Sequence, residues 1–341
     1  MNDIIEALES SVRAACAKHA AEATWNAPLW TALEEIGVTT LAVLEDRGGS
    51  GGDVATAVAV LETLGEHAAA VPVAETALLA GWLLATAGAP VPAGPLTAAV
   101  ADRLELTPGA DDVHVTGTVP RVPWARCAEH LVLLAGEQVL LLRRDEVAVR
   151  EGRNLAGEPR DDVVLDTTLP TDRVLEAVPG LATGLGRRAA LARSALIAGA
   201  ARRALELSIT YAGEREQFGR PIGRFQAVQQ HLATMAGEVL LAKVAVEAAA
   251  VALDQGSGDE VAVAAAKTVA SQAAGVVATL AHQIHGALGY TEEHPLRLSS
   301  TRLWAWRDEA GNEAAWSASL GGTVLAAGPD ELWPLVTGGT R

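Results

Sequence analysis

Residues 1–92 place apolar side chains every three or four positions, which is the period of an amphipathic α-helix. Gly and Pro residues interrupt this pattern between segments. The pattern predicts four helices: Ile4–Ala21, Pro28–Ile36, Val54–Glu66 and Ala74–Thr86. A proline-rich run at 89–95 ends this part of the chain. We therefore expect an N-terminal helical domain over residues 1–92.

Beyond the proline-rich run the chain changes to short apolar segments separated by Gly, Pro and Asp. Such segments at hairpin-like spacing are typical of strands joined by turns. The predicted strands are Val113–Val119, His130–Leu134, Gln138–Leu142 and Asp162–Leu165. The sequence thus predicts a small middle antiparallel β domain over residues 93–180.

Helical periodicity returns at about Leu181 and continues through most of the remaining chain. The predicted helices are Leu185–Glu214, Phe225–Asp254, Asp259–His285, Leu296–Trp306 and a shorter one near Asn312–Ser319. Long alanine-rich helices pack most simply as an antiparallel bundle. The predicted fold class is mainly α, with an N-terminal helical domain, a small antiparallel β domain and a C-terminal four-helix bundle over residues 181–341.

Composition and charge narrow the possible partners. The formal net charge of −16 disfavours nucleic acid and anionic membrane surfaces. Segment 187–224 nevertheless carries eight arginines against three acidic residues, which favours an anionic ligand at one place. Cys16 and Cys127 are too few for a disulfide framework or a thiolate metal site. Without a secretory signal or an apolar run long enough to span a bilayer, we expect a cytoplasmic protein.

The segment from Tyr211 to Leu232 is the most informative stretch of the chain. It holds both phenylalanines and one of the two tyrosines of the protein. Gly219 and Pro221 stop one predicted helix, and a second begins near Phe225. Arginines at such a helix corner are suited to holding a phosphate, although solvated arginines at an ordinary corner have the same local pattern.

Three groups of residues resemble the acyl-CoA dehydrogenase family. Arg215-x-x-Phe218-Gly219 followed by Gln226 resembles the signature with which that family contacts the FAD of a neighbouring subunit. The run 283–295, with Gln283, Gly286 and Ala287, resembles the family's QxxGGxGY segment, which approaches the phosphates of FAD. The N-terminal elements run in the family's order: Leu29-Trp30, Gly37, Glu45-Asp-Arg-Gly48-Gly49-Ser-Gly51 and Leu61-Glu62-x-Leu64-Gly65.

The resemblance implies α,β-desaturation of an acyl-CoA thioester, with FAD as cofactor and an electron-transfer flavoprotein as acceptor. In the family a glutamate removes the α-proton while the β-hydrogen leaves as hydride to the flavin. The two positions where the family places this glutamate correspond to Ala310 and Ala189 in this chain. Glu309 stands one residue before the first position and would serve as the base if the turn were one residue shorter.

A second departure concerns the middle domain. Pro95-Leu-Thr-Ala-Ala-Val stands near the place of the family's TEPxxGSD-like stretch, which holds the flavin ring. The chain thus resembles the subunit without a catalytic base in the heterotetrameric (α2β2) acyl-CoA dehydrogenases of actinobacteria, which act on sterol-derived or other bulky acyl-CoA thioesters. There, a homologous partner chain would supply the glutamate. The alternatives are a self-sufficient homotetramer with Glu309 as base and a scaffold that has lost the cofactor.

Two other patterns resemble ligand sites only in part. The glycine-rich run 48–52 lacks the third glycine of a dinucleotide-binding turn, because Val54 occupies that place. His282, His285 and His294 lie close in sequence, but no cysteine or carboxylate completes a familiar metal set. The sequence therefore predicts no metal site.

Overall fold

The protein is described by a computed structural model that covers residues 2–19, 24–256, 259–331 and 333–334, with backbone alone at residues 2 and 3. Contacts within the chain divide it into two compact units. The first comprises residues 1–57 and 70–189, and the second comprises residues 58–69 and 190–341. The two units are described in turn.

The predicted N-terminal helices are all present. They are α1 (Asn2–Lys18), α2 (Ala27–Ile36), α3 (Val54–Glu66), a π-helical segment (Ala74–Gly81) and α4 (Trp82–Thr86). The end of the first predicted helix, at Ala20 and Ala21, lies outside the described residues. Asn26 caps α2 by accepting a hydrogen bond from the Leu29 amide at 3.0 Å, and Gly37 ends the helix at φ 85°.

The middle part of the first unit consists of two four-stranded sheets. The strands are β1 (Leu96–Val100), β2 (Glu105–Pro108), β3 (Asp112–Pro123), β4 (His130–Ala135), β5 (Gln138–Arg143), β6 (Ala148–Arg150), β7 (Arg160–Pro170) and β8 (Val174–Glu176). One sheet has the order β1-β4-β5-β8 and the other β2-β3-β7-β6. Buried Val, Leu and Ala side chains from both sheets form one core. The predicted small β domain is confirmed, although the β1–β4 pair is parallel.

The second unit is a bundle of long helices. Its elements are the end of α3 and α5 (Leu181–Glu214, which begins in the first unit), α6 (Gln226–Gln255), α7 (Asp259–His285), α8 (Leu296–Asp308) and α9 (Glu313–Ala327). Helix α7 packs against α6, α8 and α9. Ala198, Ala242 and Ala273 meet in one buried cluster of α5, α6 and α7. The predicted helix near Asn312–Ser319 extends to Ala327, and Asn312 is its N-cap.

Two glycines allow α3 and α5 to approach closely. A Cβ atom at Gly65 would overlap the carbonyl of Leu196, and one at Gly199 would overlap the carbonyl of Glu62. Only glycine leaves room for such backbone contact between helices. The packing therefore gives a physical reason for the Leu-Gly pair at the end of α3.

The expectation that no apolar run could span a bilayer was wrong by length and composition. The most apolar window of the helical stretch Asp259–Tyr290 has a mean hydropathy of 1.5 and passes that criterion. That window is 56% buried inside the fold, because α7 has several neighbours in the bundle. A core helix with more than one buried face is apolar nearly all round, so the apolar composition alone does not indicate a membrane span.

Candidate functional site

The predicted signature at Arg215 to Gln226 forms a hairpin corner between α5 and α6. Glu216–Gln217 pairs antiparallel with Arg220–Pro221. The two residues between them, Phe218 and Gly219, have φ values of 53° and 76°. Two successive left-handed residues make a tight turn that suits the twist of a hairpin. This turn carries the Phe218 ring away from the bundle.

The side chains of this corner face outward. Phe218 is 93% exposed, and Arg215 and Gln226 are exposed as well. The rings of Phe218 and Phe225 are nearly perpendicular, with centroids 6.1 Å apart, and the Arg220 guanidinium lies 4.3 Å from the centroid of Phe225. A fully exposed phenylalanine beside exposed arginine is a surface that an aromatic, anionic ligand or a second chain would cover.

The second predicted segment begins where α7 ends at His285 and continues as a 3-10 turn, Gly286–Tyr290. Gln283, Gly286 and Ala287 are all exposed. Gly286 has a φ of 61°, and a Cβ atom there would meet no other atom within 4 Å. Its backbone is therefore open to a ligand that needs close approach.

A cleft of about 630 Å³ lies beside this segment in the second unit. It is lined by Thr279, His282, Gln283, Gly286, Gly289, Tyr290, Arg297, Ser300, Thr301 and Trp304. The His282 ring stacks on Tyr290 with centroids 4.2 Å apart. The buried Nε of Arg297 and Nδ1 of His282 find no hydrogen-bond partner among the described residues. A buried, unpaired guanidinium nitrogen fits a phosphate-bearing ligand such as the ADP part of FAD.

The two predicted segments are joined by aromatic stacking. Tyr211, at the last turn of α5, stacks on His285 with ring centroids 4.6 Å apart. The His294 and His285 rings also meet in a T-shaped arrangement, with centroids 4.8 Å apart. The sequence singled out Tyr211 for its rarity but not for this contact, since the partners are far apart along the chain.

The histidines of this region do not form a metal set. Nδ1 of His285 lies 2.8 Å from the Ala281 carbonyl, so this nitrogen is the donor of that hydrogen bond. Burial lowers the pKa values of His282 and His285, which favours neutral rings near pH 7. Among the described residues no group of three potential metal ligands comes together.

The two alanines predicted at the base positions offer no proton acceptor. Ala189 lies within α5, and Ala310 follows α8 in a left-handed conformation with a φ of 54°. Glu309 ends α8, and its amide donates to the Trp306 carbonyl. The Glu309 carboxylate lies 2.8 Å from Nε of Arg193, and the two side chains are only 15% and 6% exposed. The nearest carboxylate to the predicted position is thus held in a buried ion pair.

Lys267 holds the end of α8 beside this ion pair. Its ammonium is fully buried and donates to the carbonyls of Arg307 and Trp306 at 2.8 and 3.4 Å and to Ser271 Oγ at 3.0 Å. A cation at the C-terminus of a helix satisfies carbonyls that have no partner within the helix. Burial, followed by the positive charge of Arg193, lowers the pKa of Lys267 to about 8.

Residues 95–100, which stand near the place of the family's flavin-ring-binding stretch, pack within the β domain. Leu96 and Thr97 are fully buried at the start of β1. The Thr97 hydroxyl donates to the Pro123 carbonyl at 2.5 Å. The hydroxyl thus serves the packing of its own domain.

Two parts of the chain match known protein-domain families. Residues 2–91 match the family described as acyl-CoA dehydrogenase, N-terminal domain, and residues 185–307 match acyl-CoA dehydrogenase, C-terminal domain. The chain is 30% identical over 315 residues to acyl-CoA dehydrogenase IpdE2 of Mycolicibacterium smegmatis, which covers 87% of this chain and 91% of the relative.

Solved structures of similar fold extend the comparison. A chain of the ChsE4-ChsE5 complex from Mycobacterium tuberculosis superimposes with a TM-score of 0.85 at 26% identity, over 96% of this chain and 97% of that one. Butyryl-CoA dehydrogenase from Megasphaera elsdenii superimposes with a TM-score of 0.87 at 21% identity, over 95% and 99% of the two chains. The second likeness bears on the fold alone.

Proposed function

The chain belongs to the acyl-CoA dehydrogenase family, and on that premise we propose that it is one subunit of an FAD-dependent α2β2 acyl-CoA dehydrogenase. Acyl-CoA dehydrogenases are FAD-dependent oxidoreductases of lipid or steroid degradation. In the proposal this chain contributes contacts to the ADP part of FAD, and a homologous partner contributes the catalytic glutamate. The family resemblance that the sequence motifs predicted is confirmed.

The observation that carries the proposal is the exposure of the corner formed by Arg215, Phe218 and Gln226. A phenylalanine that is 93% exposed gives no stability to its own bundle. If a second chain and its cofactor covered the Phe218 ring, a large apolar area would be removed from water. The arrangement therefore supports a site that faces a neighbour.

The chemistry divides between the two chains. FAD supplies a hydride acceptor when it is bound. Arg215 would pair with phosphate oxygens, while the Gly286 backbone and the buried Nε of Arg297 offer further phosphate contacts. Ala189 and Ala310 cannot move a proton, so a carboxylate of the partner would take the α-proton of the acyl-CoA.

Flavin content tests the division of the cofactor site. The chain is purified alone and after co-expression with an acyl-CoA-dehydrogenase-like chain of the same organism that carries the glutamate. We expect little flavin absorbance from the chain alone and stoichiometric flavin in the complex. Phe218→Ala and Arg215→Ala should each lower the flavin content of the complex, whereas Arg150→Ala, an exposed arginine of β6, should not.

Stoichiometric flavin on the isolated chain would overturn this assignment. A self-sufficient homotetramer with Glu309 as base predicts that Glu309→Gln abolishes desaturation without changing flavin content. A scaffold predicts a stable complex with no flavin absorbance. The ion pair between Glu309 and Arg193 disfavours the homotetramer, because a paired carboxylate is a weaker proton acceptor.

We further propose that the substrate is a bulky, sterol-derived acyl-CoA, that the electron acceptor is an electron-transfer flavoprotein, and that the protein resides in the cytoplasm. Desaturation by the complex of a sterol side-chain CoA thioester, compared with butyryl-CoA and octanoyl-CoA, tests the substrate. A clear preference for butyryl-CoA would contradict the bulky chain.

A further inference from the structure

The cleft beside the 3-10 turn Gly286–Tyr290 is rich in hydrogen-bond donors and carries positive charge. The described residues that line its volume of about 630 Å³ include an arginine, a histidine and three aliphatic hydroxyl groups, but no aspartate or glutamate. Gln283, Gly286 and Tyr290 are exposed, so the cleft opens to solvent on their side. An anion that enters therefore meets donors from both α7 and α8 without a repelling carboxylate on the lining.

His282 is held in the wall of this cleft. Its ring stacks on Tyr290 with centroids 4.2 Å apart and an angle of 19° between the ring planes. A Cβ atom at Gly289 would lie 3.2 Å from Nδ1 of His282 and 3.0 Å from Cβ of His285. Glycine therefore leaves the turn room to close over both histidines. The stacking and the turn together fix the imidazole at the cleft.

The titratable and charged groups around His282 come from α7, α8 and the segment between them. They are His285 on α7, Tyr290 of the 3-10 turn, His294 of the following loop, and Arg297 on α8. None of them is a carboxylate that would pair with an imidazolium. Burial and then the positive charge of His294 lower the pKa of His282. Without an anion beside it, the ring is therefore neutral near pH 7.

We infer that a diphosphate bound in this cleft makes His282 take up a proton, so that binding tightens as the pH falls. The inference rests on the proposed function, in which this chain contacts the ADP part of FAD, and it adds a proton-linked residue to that site. An opposite charge within about 4–6 Å favours the charged form of a titratable group. The proton comes from solvent, and the imidazolium becomes a second cation beside Arg297.

The direction of the pH effect follows from the two states of His282. In the chain without a ligand, the pKa of this imidazole lies below its ordinary value of 6.5, and pairing with a phosphate raises it. Between the two pKa values only the complex holds the proton. By linkage, the affinity then rises by up to about tenfold for each unit by which the pH falls. Outside that interval His282 makes the affinity neither rise nor fall.

The test is a titration of the isolated full-length chain with ADP-ribose, followed by NMR of isotope-labelled histidine rings. The charge of the pyrophosphate in this probe is constant between pH 6 and pH 8, so a change of affinity with pH belongs to the protein. We expect the His282 signal to move toward its protonated position at pH 7 as ADP-ribose is added. The dissociation constant should fall about fivefold from pH 8 to pH 6. Adenosine, which has no phosphate, should cause neither change.

Variants separate the two cations of the cleft. His282→Gln should remove most of the pH dependence and identifies the His282 signal by its loss, whereas Arg297→Gln should weaken binding at every pH. His114→Gln is the matched control, because that histidine lies on β3 in the first unit, beside Asp166 and outside the cleft lining. If His282→Gln does not fold, His282→Asn takes its place, and the shift of the wild-type signal needs no variant.

The isolated chain should bind ADP-ribose weakly, because the partner supplies the rest of the proposed cofactor site, and the probe is therefore used in excess. Absence of binding, a dissociation constant that does not change with pH, or an unchanged His282 signal would each overturn the inference. A pH dependence that persists in His282→Gln would assign the proton to another group and overturn it as well. The proposed function is tested separately, by the flavin absorbance of the chain alone and of the complex.

Discussion

Replacing Lys267 by methionine should change how the stability of the protein depends on pH. Lys267 is fully buried, and its pKa is lowered from the ordinary 10.5 to about 8, first by burial and then by Arg193. Methionine keeps an unbranched side chain of similar length without the charge. The change therefore removes one titrating group while keeping most of the packing in the bundle.

The expected change in unfolding free energy follows from the pKa of Lys267 in the unfolded chain and in the folded protein. Because the folded value lies below the unfolded one, the unfolded chain binds more protons, and the free energy of unfolding rises with pH between about 8 and 10.5. A lowering of this size corresponds to a penalty of about 3 kcal/mol at pH 7 for keeping Lys267 charged. Between pH 7 and pH 9, about 1 kcal/mol of that penalty should disappear.

The variant also leaves acceptors without a donor. The carbonyls of Trp306 and Arg307 lose the ammonium group, and an unsatisfied buried acceptor costs about 1–3 kcal/mol. That cost does not depend on pH over this range. It therefore changes the free energy of unfolding of Lys267→Met by the same amount at every pH. The diagnostic quantity is how the difference in unfolding free energy between the two proteins changes with pH.

The assay is urea unfolding at pH 7, 8 and 9, followed by circular dichroism. We expect the wild-type protein to gain about 1 kcal/mol of unfolding free energy relative to Lys267→Met from pH 7 to pH 9. Lys243→Met is the matched control, because that lysine is about half exposed on α6 and pairs with Glu247. Parallel pH profiles for the wild type and Lys267→Met, or a wild-type protein that loses stability relative to the variant as the pH rises, would refute the reasoning.

Three further predictions concern other parts of the molecule. Gly199→Ala should destabilise the protein by about 1–3 kcal/mol in urea unfolding because its Cβ meets the Glu62 carbonyl, whereas Gly186→Ala on the same helix meets nothing within 4 Å and should be neutral or stabilising. Burial raises the pKa of Cys127 to about 11, so an aromatic disulfide reagent at pH 7 should modify it only as the protein unfolds; rapid modification of the native protein would contradict this. Phe218→Ala should leave the melting temperature of the isolated chain nearly unchanged, and a clear loss would show that the exposed ring supports its own bundle.

The helices could be read from the sequence because their signals are local. A 3.6-residue period marks a helix that packs one face, and Gly37, Gly219 and Pro221 mark the ends. The short strands β1, β2, β6 and β8 were missed. Each has three to five residues, and their assignment depends on the neighbouring strand rather than on their own pattern. The parallel pairing of β1 with β4 is a property of the assembled sheet.

In the candidate site, too, the local motifs could be predicted from the sequence, whereas the contacts between distant residues could not. Arg215, Phe218, Gln226, Gln283 and the glycines could be named from the sequence because each motif is contiguous. Their roles toward FAD stay predictions, as does that of Glu309. The family assignment, by contrast, is confirmed.

What the sequence by itself determined is the order of elements, the fold class, the family and the alanines at Ala189 and Ala310. What only the tertiary structure decided is which distant groups meet: Tyr211 with His285, Lys267 with the end of α8, and Arg193 with Glu309. The physical reason is that periodicity and turn chemistry act over a few residues, whereas an ion pair across 116 residues exists only after the bundle has packed. The ion pair that holds the Glu309 carboxylate against Arg193 is likewise a product of that packing.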